Sequence, residues 1–363
     1  MSNRQDNYLN LVKKISELNK IINWKLWSGL LISALFLYLA FRKVDLVQTW
    51  TMIRSANLFI LYFVILLTFF QFVIRAWRWK ILLEPIQKTG FSNRLSSTLI
   101  GFAANCIFPA RLGEFIRANY LGHSENISGG SAFGTIVVER LFDGYTLLLV
   151  LLIGLIGTTF PSEWHFISTS LRGAGFLLLF LYSLLIIFLV GVRYKATPFL
   201  KLLERLLFFL PTPFLNKIIN TVRNFSMGLV LSRNPYRLIQ VVFYSFFLWF
   251  TSLYQIQLIE QALGLSLPFI ACFLILSMAT FGVIIPSAPG FIGTFHLSVQ
   301  YGFMFYGIGR EEALSAAIVW HSILFFSTII FGFVSILFIH IPFGRLRKEA
   351  IVLKKGPANI NGS

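Results

Sequence analysis

Apolar residues in this chain come in long runs separated by short polar links, and the length of each run decides what it can be. A helix rises about 1.5 Å per residue, so roughly 20 apolar residues cross a hydrocarbon core of about 30 Å. The runs Lys25–Phe41, Leu58–Ile74, Ser131–Phe160, Gly173–Val192, Leu238–Glu260 and Ala313–Ile341 predict six full spans. Two other stretches break the pattern. Ser96–Phe108 is too short to cross, meets Pro109, and is followed by a second short helical stretch from Gly113 to Leu121. Pro268–Ile285 likewise runs into Pro286, Pro289, Gly290 and Gly293. Irregular backbone at membrane depth must line a cavity or be buried in protein, so both stretches read as re-entrant hairpins.

Composition agrees with this pattern. Hydrophobic residues make up 56% of the 363 positions and charged ones only 12%, about half the share in a soluble domain, and no series of short alternating segments suggests a barrel. The predicted class is an all-α polytopic membrane protein. Residues 1–23 form an amphipathic leader, 24–341 one transmembrane domain, and 342–363 a basic tail.

The net charge of +17 sits in links and tails and reads as the positive-inside signature, with no soluble basic domain for nucleic acid. Eight cations against Glu204 alone place the 193–237 link in the cytoplasm, and parity then puts both termini there. The first hairpin enters from the cytoplasm and the second from outside. Pro109-x-x-x-Gly113-x-Phe115 recurs as Pro289-x-x-x-Gly293-x-Phe295, 180 residues later. Residues 24–160 and 172–341 are therefore predicted to be an inverted-topology repeat, a recurring transporter design.

Candidate chemistry gathers at the first hairpin. Arg111, Glu114 and Arg117 share a helical spacing, and Glu139, Arg140 and Asp143 lie in the first half of the next span. Three cations and three carboxylates converging on one cavity would suit an anionic head group that displaces a carboxylate from an arginine. They would equally suit a structural ion-pair cluster. The hairpin positions Pro109, Gly113, Pro286, Pro289, Gly290, Gly293 and His296 form a candidate gate, and His321 a candidate proton relay. Arg75, Trp77 and Arg78 read as an interfacial anchor, through snorkelling or lipid contact. Cys106 and Cys272 lie in apolar runs and read as small hydrophobes. Neither a metal pattern nor a nucleotide loop is present, so no cofactor is expected.

Asn105-x-x-x-Pro109-Ala110-Arg111-Leu112-Gly113-Glu114-x-x-Arg117, with Glu139-Arg140-x-x-Asp143 and Pro289-Gly290-x-Ile292-Gly293, resembles the membrane domain of the bacterial lysylphosphatidylglycerol synthase/flippase family. The resemblance implies a flippase-like protein of a bacterial inner membrane. It brings Asn105, Arg111, Glu114, Arg117, Glu139, Arg140 and Asp143 into a substrate site whose partners are membrane lipid head groups. Two departures stand out: a short tail follows in place of the soluble aminoacyl-transfer domain, and Phe291 and His296 occupy positions that the family fills with glycine and an acid. A second reading is a membrane subunit or scaffold of a lipid- or polysaccharide-modifying system, with 193–237 docking a membrane or cytoplasmic enzyme. A third is a lipid or glycosyl transferase using Glu139 and Asp143.

Overall fold

Helices follow the apolar runs, and their ends are fixed by local chemistry. A computed structural model describes residues 27–108, 111–160, 165–194, 205 and 235–338, and among them there is no strand. The leader, most of the 193–237 link, the tail, and Pro109 with Ala110 lie outside the described residues. In chain order the helices are α1 (Trp27–Phe41), α2 (Leu46–Ser55), α3 (Leu58–Leu83), α4 (Phe91–Ile107), α5 (Gly113–Glu125) and α6 (Gly129–Gly157). They continue with α7 (His165–Tyr194), α8 (Pro235–Ala262), α9 (Phe269–Ile284), α10 (Thr294–Met304) and α11 (Arg310–Phe338). A single 3₁₀ turn, Pro289–Phe291, lies between α9 and α10.

Four helices are long and apolar enough to cross a membrane: Leu58–Leu83, Ser168–Ile187, Tyr236–Ala262 and Arg310–Leu337. At 29 residues, α6 is long enough as well, but it carries Glu139, Arg140 and Asp143. The protein is a multi-pass helical membrane protein. Asn57 opens α3 by accepting hydrogen bonds from the Phe59 and Ile60 N–H groups, at 3.0 and 3.3 Å, which satisfies two donors that a helix start leaves orphaned. Asp45 does the same for α2. In the sequence 42–57 reads as a short external link, because the polar residues of α2 hide its helical period.

α3 and α8 pack along their length and run antiparallel. At one end the Asn57 N–H donates to the Ala262 carbonyl at 2.8 Å, and at the other Arg237 pairs with Glu84 at 3.5 Å. Between them Gln71 donates to Thr251, Ser252 and Gln255, and Gln255 donates to Thr68. Buried amides bridging two spans hold them without a hydrophobic driving force, which lipid removes.

Around this pair each packing in α3–α6 has a counterpart in α8–α11. α4 lies on α5 as α9 lies on α10, α5 on α6 as α10 on α11, and α4 on α11 as α9 on α6. Glycines make these approaches close. A Cβ on Gly101 would stand 2.8 Å from the Gly113 carbonyl, and one on Gly282 would stand 2.8 Å from the Thr294 carbonyl. Gly154 of α6 lies against Phe273 and Leu274 of α9, and Gly332 of α11 against Leu99 and Ala103 of α4.

Candidate functional site

The charged residues of α3, α5 and α6 meet inside the bundle. α3 presents Arg75, Arg78, Trp79 and Leu82 at i, i+3, i+4 and i+7, so one helix face turns inward toward α6 and α8. α6 supplies Glu139 and Asp143, four apart on one face, and α5 supplies Arg117. Beneath them lies an apolar cluster of Trp79, Leu83, Ala118, Leu121, Ala132 and Ile136.

Arg78 is the centre. Its guanidinium grips Asp143 with both nitrogens at 2.5 and 3.2 Å, reaches Glu139 at 3.1 Å, and donates to the Ser245 hydroxyl of α8 at 2.8 Å. Arg117 makes a bidentate pair with Glu139, both contacts at 3.0 Å, and its guanidinium lies 3.9 Å from the Trp79 ring centroid. The Trp79 indole N–H donates to Thr135 at 2.8 Å, which fixes the ring under the cation. Arg78, Arg117, Glu139 and Asp143 are all buried.

Arg140 forms the rim. It reaches Glu139 at 3.2 Å, Asp143 at 3.5 Å and Glu114 at 3.5 Å, yet about a third of its side chain stays accessible. Arg75 lies at the other edge, 3.9 Å from Asp143 and 4.8 Å over the Phe102 ring. Four arginines, 75, 78, 117 and 140, thus face three carboxylates, 114, 139 and 143. Within this cluster one positive charge is left over. The buried Nε atoms of Arg78 and Arg117 have no hydrogen-bond partner, and that of Arg140 meets the Glu114 carboxylate at 3.5 Å without a hydrogen bond, so the donor capacity is not exhausted either.

Several expectations change with this geometry. Arg78 is not an interfacial anchor: it is wholly enclosed, because α3 continues to Leu83 and the 75/78/79/82 spacing points inward. Arg75 faces the same way, and of the three anchor residues only Trp77 stays outside, with 46% exposure. The inward period is the signal that could have found Arg78. Arg111 does not share a helix face with Glu114 and Arg117, because α5 begins only at Gly113 and Arg111 sits before it at φ 54°. Its guanidinium donates to the Val283 carbonyl at 3.1 Å and lies 5.9 Å over Phe291, joining the first hairpin to the second, still within electrostatic range of Glu114 and Arg140. Asn105 accepts the Gly113 N–H at 2.8 Å and so starts α5, a positioning role. Every carboxylate oxygen of Glu139 and Asp143 lies within ion-pair distance of a guanidinium, leaving neither free to take a proton from a substrate hydroxyl. Pro109 lies outside the described residues.

On the second hairpin, Gly290 and Gly293 take φ values of 75° and 94°, which a side chain would resist. Ala288 N–H donates to the Ser33 hydroxyl of α1 at 2.8 Å, and Pro286 and Pro289 flank this contact. His296 and His321 stand with ring centroids 4.6 Å apart.

A family model described as the lysylphosphatidylglycerol synthase TM region matches residues 26–332. Over 170 residues the chain is 31% identical to a UPF0104 membrane protein of Methanocaldococcus jannaschii. That stretch is 45% of this chain and 48% of the relative, so the match spans about half the length of each.

Proposed function

The chain belongs to the lysylphosphatidylglycerol synthase transmembrane-region family, and from that membership and the charge of its buried cluster we propose that it is a lipid translocase. The observation that carries the reading is the surplus arginine charge of the cluster, most open at Arg140 and Glu114. Uncompensated charge at membrane depth is costly and marks a binding site for an ion or ligand of opposite sign. An anionic lipid head group takes the place of Glu114 on Arg140 and gains Arg111 as a second donor. Exposed Ile107, Phe108, Leu112 and Phe115 at the first hairpin leave its acyl chains in contact with apolar surface.

Two opposed hairpins in an inverted repeat give this site access from both sides in turn. The antiparallel α3 and α8, and the recurrence of packing partners between α3–α6 and α8–α11, support that arrangement. The membrane is a bacterial inner membrane in this reading, with both termini cytoplasmic.

Reconstitution of the full chain tests it. Vesicles holding the protein should move head-group-labelled anionic lipid between leaflets faster than empty ones. Arg140→Gln should slow this roughly tenfold or more, the weight of a charge-assisted hydrogen bond of about 1.5–3 kcal/mol. If the wild type moves anionic, aminoacylated and isoprenoid-phosphate lipids no faster than empty vesicles, the translocase reading is lost and a scaffold role takes its place.

A further inference from the structure

The second hairpin is held by two imidazoles whose tautomers the backbone dictates. The Gly290 carbonyl can only accept, so His321, 2.8 Å away, donates from Nε2, and that bond places no demand on its Nδ1. The Gly293 N–H can only donate, so His296 accepts at Nδ1, at 3.3 Å, and its proton sits on Nε2. His296 is therefore neutral in this conformation, whereas the Gly290 bond fits His321 in either charge state. Each clamps one of the two glycines whose positive φ shapes the turn.

A proton can enter at His321 Nδ1 without disturbing the Gly290 bond. A proton on His296 Nδ1 is different: it sets N–H against N–H and breaks the bond that starts α10. Among the described residues, titratable groups on neighbouring elements offer no counter-charge, and α9 carries only Cys272. α4 brings Cys106, whose carbonyl lies 3.4 Å from where a Gly290 Cβ would stand, and Arg111 reaches Phe291 ahead of α5. α1 contributes Ser33 and Leu37. The remaining neighbours are aromatic: the Phe295 and Phe325 centroids are 5.0 and 5.8 Å from that of His321, and Trp320 packs against Phe295. Ring faces can hold an imidazolium for a time without pinning it, as a carboxylate would.

We propose that His296 and His321 form a proton-binding site whose occupancy opens the Pro286–Gly293 turn and so couples proton movement to lipid translocation. The coupling rests on the translocase reading, whereas the proton site and its turn do not. The state with the Gly293 bond broken binds more protons, so acid favours it and alkali favours the closed turn. Arg111 makes the turn felt at the charged cluster, since it bonds Val283 and covers Phe291.

The test uses the full chain in lipid nanodiscs, with Cys106→Ser and Cys272→Ser, and a spin label on Ala288→Cys. Between about pH 8 and about pH 4, a mobile spectral component should grow. His296→Gln keeps an acceptor for Gly293 N–H but cannot titrate, and should abolish that growth. His321→Gln leaves the Gly293 bond and the titrating His296 ring in place, and should keep that growth but shift its midpoint. An unchanged wild-type spectrum across the range overturns the site, and so does a response that survives in His296→Gln or one whose midpoint His321→Gln leaves unmoved. In vesicles, translocation that proceeds at one rate regardless of an imposed proton gradient overturns the coupling while leaving the translocase reading intact. Absent translocation at any pH removes that reading instead, and the spectra still decide whether the proton site exists.

Discussion

With no exposed surface, Arg78 divides its guanidinium among Asp143, Glu139 and Ser245 and ties α3, α6 and α8 together. Taking one partner from a buried ion pair leaves the other charge uncompensated, at about 3–5 kcal/mol. Arg78→Gln should therefore lower stability by about that amount. Arg140→Gln, at the accessible rim, should cost about 1 kcal/mol or less. Denaturation of both variants in the same detergent, followed by helix content, checks this; equal losses would show that burial does not rank these arginines. The contrast also separates a packing residue from a ligand-facing one. Motif spacing made Glu114, Arg117, Glu139, Arg140 and Asp143 legible as a group. It misplaced Arg111, because Gly113 starts α5 two residues later and a helical count across a non-helical residue fails. Arg78 was hidden by its setting: cations and tryptophans mixed near a span end look alike whether they face lipid or protein, and only the period of 75, 78, 79 and 82 separates the two.

The elements that depart from ordinary spans are the hairpins, and small residues set their closeness. On α9, a methyl on Gly282 would come within 2.8 Å of the Thr294 carbonyl and 2.6 Å of the Ser298 hydroxyl. Backbone cannot yield as a flexible side chain can, so Gly282→Ala should push α10 away and destabilise the bundle by roughly 1–3 kcal/mol, the usual cost of overpacking. Gly130→Ala has only the Ser128 hydroxyl nearby, at 3.6 Å, and should be neutral or slightly stabilising through helix propensity. Thermal unfolding in detergent distinguishes the pair, and equal midpoints would mean that α9 and α10 do not need this contact. Proline and run length made both broken stretches visible in the sequence. Their partners were not visible: nothing in Gly332 announces that it packs on Leu99 and Ala103 of α4, because such contacts join residues more than 200 positions apart.

At the scale of the whole molecule, the relation between the halves decides how the site is reached. Helices related by a two-fold axis in the membrane plane must run in opposite directions, and α3 and α8 do, with Asn57 bonded to Ala262 at one end and Glu84 paired with Arg237 at the other. The short motif shared by the hairpins suggested the repeat, and matched packing partners across the halves extend that argument to the interior. Sidedness is a separate matter, since antiparallel helices fix relative direction alone, and the proposed cytoplasmic side rests on the cations of the 193–237 link. The loop joining α3 to α4 should then face the cytoplasm, and the loop joining α8 to α9 the outside. In a background of Cys106→Ser and Cys272→Ser, Lys88→Cys should react with a membrane-impermeant maleimide only in inverted vesicles, and Ser266→Cys only in intact cells. Both positions lie in non-helical segments with accessible or partly accessible side chains, so a silent position would mark the wrong side rather than burial. Reaction of both from the same side would place the two hairpins in one leaflet, and the proposed alternating route through Arg140 and the His296–His321 turn would have no second entrance.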